Sequence, residues 1–242
     1  MNKKNQNNVL VVGATSGIAR AIAQVYAERE AALCLAGRNR QALEQDAADL
    51  RLRYGVVVEV KEYDAFAPSP DWLEGVQVDI AVLCHGVMLG NDDARTDPDA
   101  HRKMIDVNYT SYVLLLEQLA DKMTEQASGV IAVLSSVAGD RGRGSNYCYG
   151  ATKAALTAYA DGLRGRLHAN GVHVVTVKPG PTATPMTAEM EQGRMADPKQ
   201  VARQIADAVG KRKDVVYTPG KWWLIMAVIR AIPERLFKRL SI

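Results

Sequence analysis

The sequence predicts a single α/β domain, a doubly wound and mostly parallel sheet of seven strands with helices on both faces. Two observations carry that expectation. Short apolar runs alternate with longer stretches of helix formers, the order that a parallel sheet with crossover helices requires. The chain also has 242 residues, 48% of them hydrophobic, enough for one large domain with a sizeable core. Right-handed crossovers then lead to the doubly wound arrangement.

The elements follow in order. Val9 to Val12 is an apolar run closed by Gly13 and reads as a buried strand. Gly17 to Arg29 is alanine-rich and helical, and Ala31 to Ala36 is a second strand ending at Gly37. A helix over Asn39 to Tyr54 leads to strands at Val56 to Val60 and Val78 to Leu83. Asp97-Pro98 pairs an N-cap with proline at the first helical position, opening a helix expected to reach about Glu125. Gly129 to Leu134 is a strand, Asn146 to Asn170 a long helix and Val172 to Val177 a strand. Gly180 to Ala196 is a long polar, non-helical stretch, a candidate lid. Asp197-Pro198 opens another helix, and Val215-Val216 marks the last strand. The reading divides the chain into a domain at 1–220 and a basic, apolar extension at 221–242.

Charge and cysteine content narrow the classes. The net charge of +3 is too small to argue for nucleic acid. Lys211 to Ile242 holds eight basic and two acidic residues, so this tail carries +6 and the remainder −3. Cys34, Cys84 and Cys148 have no paired or metal-like spacing, which suggests free thiols in a reducing, cytoplasmic setting. His85, His101, His168 and His173 show no metal spacing either. The polar Met1 to Asn8 reads as having no signal peptide, and no run reaches the ~18 apolar residues of a spanning helix.

After the first strand comes Gly13-Ala14-Thr15-Ser16-Gly17-Ile18-Ala19. Gly13 permits a tight turn, Gly17 lets backbone approach a pyrophosphate, and the helix that follows offers unpaired N–H groups to phosphates. Ala19 stands where a third glycine often does and is small enough for close helix–strand packing. With a strand before it and a helix after it, it reads as a Rossmann-type dinucleotide turn; the alternative is an ordinary glycine-containing strand–helix turn. The second strand ends in Gly37-Arg38, where an acidic residue would suit the ribose of NAD. Arg38 suits the 2′-phosphate of NADP instead; its alternative is a solvated residue opening a helix. Asp64, after the third strand, either accepts from an adenine amine or is an exposed loop carboxylate.

The chemistry-bearing pair is Tyr149 and Lys153, one helical turn apart, with Ser136 thirteen residues upstream. A phenol keeps its proton to about pH 10. A neighbouring ammonium favours the phenolate and brings the proton toward use near neutrality. Ser135 is an alternative to Ser136, but the spacing favours Ser136. Tyr147 has Ala151, not lysine, four residues on, and reads as a pocket-lining side chain.

Together Gly13, Gly17 and Ala19, Ser136, Tyr149-xxx-Lys153 and Pro179-Gly180 resemble the short-chain dehydrogenase/reductase family over about residues 8 to 218. The resemblance implies hydride transfer between a nicotinamide cofactor, NADP with NAD as the alternative, and a carbonyl or secondary alcohol. It implies Tyr149 as general acid or base and Lys153 as the group that lowers its pKa and bonds the nicotinamide ribose. Ser136 then donates to the substrate oxygen, and Asn108 helps hold a water linked to Lys153. Gly13, Thr15, Ser16, Gly17, Ile18, Arg38, Asp64 and Gly86 fall on the cofactor side, with Pro179, Gly180 and Thr184 at the nicotinamide. It also implies a homo-oligomer.

One segment departs from the family. Where Asn-Asn-Ala-Gly is usual, this chain has Leu83-Cys84-His85-Gly86, so Gly86 survives but the asparagine side chains are lost. His85 is either a substitute donor or simply packed. Residues 135–146, Val216 to Lys221 and the tail resemble one branch of the family, the decaprenylphosphoryl-2-keto-pentose reductases, whose substrate is lipid-linked. Arg141 and Arg143 then either meet a phosphate, or are solvated or pair with acidic neighbours. The apolar block Trp222 to Ile229, followed by cations, suits a membrane headgroup layer or packing on the domain or an oligomer interface. Two further functions remain open: a non-catalytic NADP(H) sensor and a peripheral membrane adaptor.

Overall fold

The computed structural model of the chain describes residues 6–67, 69, 71–188 and 195–240. Seven parallel strands form one sheet in the order β3-β2-β1-β4-β5-β6-β7. They are β1 (Asn8–Val12), β2 (Ala32–Gly37), β3 (Val58–Glu62), β4 (Ile80–Leu83), β5 (Gly129–Leu134), β6 (Val172–Pro179) and β7 (Val215–Thr218). The order reverses between β1 and β4, so a crevice opens there beyond the strands' carboxyl ends. Strands β4 and β5 are buried along their whole length, which explains their unbroken apolar runs.

Both sheet faces are covered. Helices α1 (Gly17–Glu28), α2 (Arg40–Tyr54) and α7 (Pro198–Gly210) supply Ile22, Leu43 and Ile205 to one face. Helices α5 (Ser111–Glu125) and α6 (Tyr147–Leu167) supply Tyr112, Leu116 and Leu156 to the other. The helix starts obey the expected capping. Asn39 Oδ1 accepts from Ala42 N at 3.0 Å, and Asp97 and Asp197 each precede a proline at the first helical position. Gly55 ends α2 in the left-handed conformation, φ +66°.

The expected helix from Pro98 to Glu125 is interrupted. It consists of α4 (Pro98–Ile105), a π-helical turn at Asp106–Thr110 and α5. The expected helix over 146–170 is α6 plus a final 3-10 turn at His168–Asn170. A short helix not foreseen, α3 (Asn91–Thr96), follows β4 with two aspartates in its first turn. The candidate lid contains a 3-10 turn at Pro185–Thr187, and Thr182 and Ala196 bridge its ends; residues 189–194 of it lie outside the described residues. After β7 come α8 (Lys221–Ala231) and α9 (Glu234–Phe237).

Candidate active site

The turn after β1 is set by close packing. Gly13 has φ +74°, and a side chain there would come within 2.6 Å of the His85 backbone N. Its N–H and that of Ala14 both donate to Ala36 O, at 2.8 and 3.0 Å, which holds the turn against β2. Ser16 caps α1 by accepting from Ala19 N. A Cβ on Gly17 would lie 2.9 Å from Thr184 Cγ2, so the lid segment closes directly over the turn. The glycine surface, helix N-terminus and adjoining crevice fit a dinucleotide. A cleft of about 720 Å³ opens here, lined by Gly13, Thr15, Ser16, Arg38, Phe66 and Gly86 among others. Arg38 is exposed and, among the described residues, forms no ion pair. Asp64 is exposed beside the cleft, its neighbours Tyr63, Ala65 and Phe66 lining it; its carboxylate accepts from Phe66 N at 3.0 Å and shapes the turn.

The cleft continues into a second cavity of about 400 Å³ that brings together Ile18, Ser136, Tyr149, Lys153, Gly180 and Thr184, with Pro179 also in its wall. Tyr149 and Lys153 leave α6 one turn apart. Lys153 is 3% exposed, its Nζ donates to Leu134 O at 3.0 Å, and it lies 5.8 Å from the Tyr149 ring centroid and 5.3 Å from that of Tyr112. Burial lowers its pKa to about 8. Burial also pushes the Tyr149 phenol up to about 12, while the Ser136 hydroxyl pulls it back. Burial is the larger of the two influences on this phenol, and the Lys153 ammonium, expected to lower its pKa, is bonded to the Leu134 carbonyl.

Asn108 is fully buried in the π-helical turn. Its Nδ2 donates to Val87 O at 2.8 Å and Thr152 Oγ1 at 3.1 Å, and its Oδ1 accepts from Val87 N at 2.8 Å. A Cβ on Gly86 would come within 3.1 Å of that Oδ1 and 3.7 Å of Lys153 Nζ. The extra residue of a π turn re-aims a side chain, here into the strand-end loop beside Lys153.

The competing serine has another task. Ser135 is buried, with Oγ bonded to Lys153 O at 2.9 Å and Thr157 Oγ1 at 2.7 Å, and so braces α6. Tyr147 does not line the cavity as expected; it is exposed at the first position of α6. Cys148 packs with Ala94 and Met104.

His85 is held as a neutral ring. It stacks on Tyr112, with 3.9 Å between centroids, and burial, with Lys153 nearby, lowers its pKa to about 3. The Ser111 hydroxyl proton goes to Val107 O, so Ser111 Oγ accepts from His85 Nε2 at 2.9 Å. This leaves His85 Nδ1 as a buried acceptor without a partner.

Several contacts escaped the sequence because they come from the C-terminal helices. Any side chain at Gly180 would overlap the Trp222 indole, which lies directly on it. Arg141 does not meet the cavity: its Nη1 donates to Ile229 O at 2.5 Å and Ile232 O at 2.7 Å, its Nη2 pairs with Glu234 at 2.9 Å, and it lies 3.6 Å over the Phe237 ring. The acidic-neighbour alternative is the one realised. Beneath it, Lys178 pairs with Asp140 at 2.5 Å, and Asp140 also accepts from Tyr217 OH at 2.7 Å.

Comparisons with known proteins agree with this assembly. Residues 7–195 match the family model described as short chain dehydrogenase. An uncharacterized oxidoreductase of Streptomyces coelicolor is 35% identical over 246 residues, covering 97% of this chain and 96% of that protein. The rat dehydrogenase/reductase SDR family member 7B is 32% identical, covering 96% of this chain and 79% of that protein. In fold, a short-chain dehydrogenase from Sphingobium yanoikuyae, solved in complex with NADPH, superimposes with a TM-score of 0.81 at 24% identity, covering 94% of this chain and 97% of that one. The strand order, the glycine turn and these relatives lead to one conclusion: the chain belongs to the short-chain dehydrogenase/reductase family and is an oxidoreductase.

Proposed function

We propose that the protein reduces a ketone to a secondary alcohol with NADPH, Tyr149 supplying the proton. The observation that carries this reading is the single cavity in which Ser136, Tyr149 and Lys153 meet the strand-end glycines. A phenol held near pKa 12 keeps its proton at neutral pH, the state that an acid needs for reduction. The Ser136 hydroxyl steadies the developing oxyanion beside it. Lys153 bonds the nicotinamide ribose, and Asn108 fixes the loop at Val87 against which that ribose rests. Gly13, Thr15, Ser16, Gly17 and Ile18 take the pyrophosphate side, Gly86 the neighbouring ribose, and Pro179, Gly180 and Thr184 the carboxamide. Bound there, the nicotinamide supplies the hydride.

Tyr149→Phe should lower kcat at least ~100-fold, the lower end for a lost proton-transfer group, with NADPH affinity within threefold of wild type. Preserved turnover excludes Tyr149 as the acid. An NADPH-binding sensor would instead show no turnover in a ketone screen of the wild type. The NADPH preference rests on Arg38, an arginine at the end of β2 that has no carboxylate partner among the described residues. Arg38→Asp should weaken NADPH at least ~10-fold more than NADH, since a charge-assisted bond is worth about 1.5–3 kcal/mol. An equal loss for both rejects the 2′-phosphate contact.

A second reading, contact with an anionic lipid surface, is favoured by the C-terminal helices. They leave Trp223 63%, Leu224 61% and Val228 58% exposed beside Lys221, Arg230 and Arg235, while Trp222, Met226 and Phe237 pack inward. This arrangement suits delivery of a lipid-linked ketone. Replacing Trp223 and Leu224 by aspartate should abolish sedimentation with phosphatidylglycerol vesicles while leaving turnover of a water-soluble ketone intact. Unchanged sedimentation removes the reading. No helix among the described residues is long and apolar enough to cross a membrane.

A further inference from the structure

Arg143 lies two residues beyond Arg141 in the same loop, in the opposite circumstance. Arg141 is saturated by carbonyls, a carboxylate and an aromatic face. Arg143 Nε is buried and bonded to nothing, and among the described residues no carboxylate pairs with it. Burial alone acts on the guanidinium, lowering its pKa, with no neighbouring anion to offset the cost. Yet the side chain is not stranded in the core. It lines the cavity that holds Ser136, Tyr149 and Lys153. Asn146, just before α6, lines the same cavity, and its buried Oδ1 also has no partner.

A buried polar atom without a partner is unfavourable, and more so if it belongs to a charged group. A fold tolerates two such groups in one cavity wall most easily when a ligand completes them. A guanidinium presents forked donors suited to a phosphate or carboxylate. Lys153, the other cation of this wall, is assigned to the nicotinamide ribose, and much of the remainder is apolar, including Ile18, Met88, Val137 and Met186, so a substrate anion finds its complement at the Arg143 side. The cofactor's own extra phosphate is assigned to Arg38, at the far end of the cleft, and does not compete for Arg143.

We propose that Arg143 binds an anionic group, phosphate or carboxylate, carried by the carbonyl substrate, with Asn146 accepting a hydrogen bond from a substrate hydroxyl. This deepens the ketone-reductase reading and rests on it for the identity of the cavity. The anion has two possible sources, a free ketone and a lipid-borne phosphate, which share the same recognition chemistry.

The test reads binding, not turnover. The full-length protein saturated with NADP+ is titrated calorimetrically with phenyl phosphate, benzoate and neutral benzyl alcohol. Wild type should bind at least one of the anions ten or more times as tightly as benzyl alcohol. Arg143→Met should erase that preference, and Arg143→Lys should restore part of it. Benzyl alcohol and NADP+ affinities should stay within twofold in Arg143→Met, and its melting temperature should hold or rise, because among the described residues no side-chain bond of Arg143 is lost. Absence of a wild-type preference, or an anion affinity unchanged in Arg143→Met, overturns the proposal. So does a fall in melting temperature with equal losses for all three probes, the signature of a structural arginine. Dodecyl phosphate separates the sources: tighter, Arg143-dependent binding than phenyl phosphate assigns a lipid-borne anion, and equal affinity assigns a free one. Turnover surviving in Tyr149→Phe would sink the reductase mechanism without touching these affinities.

Discussion

Among the described residues two lysines are buried, and the regions around them have been built in opposite ways. Under the C-terminal helices, Lys178 on β6 meets Asp140 at 2.5 Å, and Tyr217 closes the group. In the neighbouring cavity, Lys153 on α6 has one backbone carbonyl and two aromatic rings at more than 5 Å. The two arginines of the adjoining loop repeat the contrast: Arg141 is engaged by carbonyls and Glu234, whereas Arg143 Nε has no partner and, among the described residues, no carboxylate pairs with the side chain. The Arg141–Glu234 pair ties the C-terminal helices to the domain, and the Lys178–Asp140 pair ties β6 to the loop at Asp140. Unpaired charges surround the cavity, where each costs stability and remains available to a ligand.

Lys153→Met is the largest test of this contrast. On the role proposed for Lys153 at the nicotinamide ribose, turnover should fall at least ~1,000-fold. The apoprotein should gain about 1–4 kcal/mol in urea unfolding, since a buried ion gives way to an apolar side chain of similar volume. Loss of stability would show that Lys153 is a structural cation like Lys178 and break the comparison.

Asp140→Asn probes the other region. It leaves Lys178 buried with no carboxylate, and removing one partner of a buried pair costs about 3–5 kcal/mol. The expected result is a urea midpoint shifted well below wild type, with NADPH affinity nearly unchanged because Asp140 lies outside the cofactor cleft. A shift under ~1 kcal/mol would mean that the pair is dispensable.

The smallest effect sharpens the first. The folded pKa of Lys153, about 8, lies below its unfolded value of about 10.4. Between those values the unfolded chain binds the extra proton, so stability rises with pH by up to about 1.4 kcal/mol per unit. Below pH 8 both states hold the proton and the slope vanishes. Subtracting the Lys153→Met profile from that of wild type should isolate this rise. A difference that is flat from pH 8 to 10 would place the folded pKa elsewhere.

Much of this was legible in the chain. The glycine turn, the Asp-Pro helix starts and the apolar runs at β1, β4 and β5 are local signals, and the structure realises them within a residue or two. The break in the 98–125 helix was not legible. The π turn has no glycine or proline to announce it and exists where Asn108 reaches Val87, 21 residues away. Tyr147 and Arg141 were misplaced or left open for a related reason: exposure and partners at a loop or helix start depend on what folds over it. For Arg141 that is a segment 88 to 93 residues distant.

The sequence by itself determined the order of strands and helices, the dinucleotide turn and the spacing of Ser136, Tyr149 and Lys153, because backbone propensity and periodicity act over a few residues. Only the tertiary structure decided which charges are paired and which are left facing a cavity. Desolvation and ion pairing depend on groups brought together from distant parts of the chain, and these set the protonation of Tyr149 and Lys153 and leave Arg143 open to a ligand.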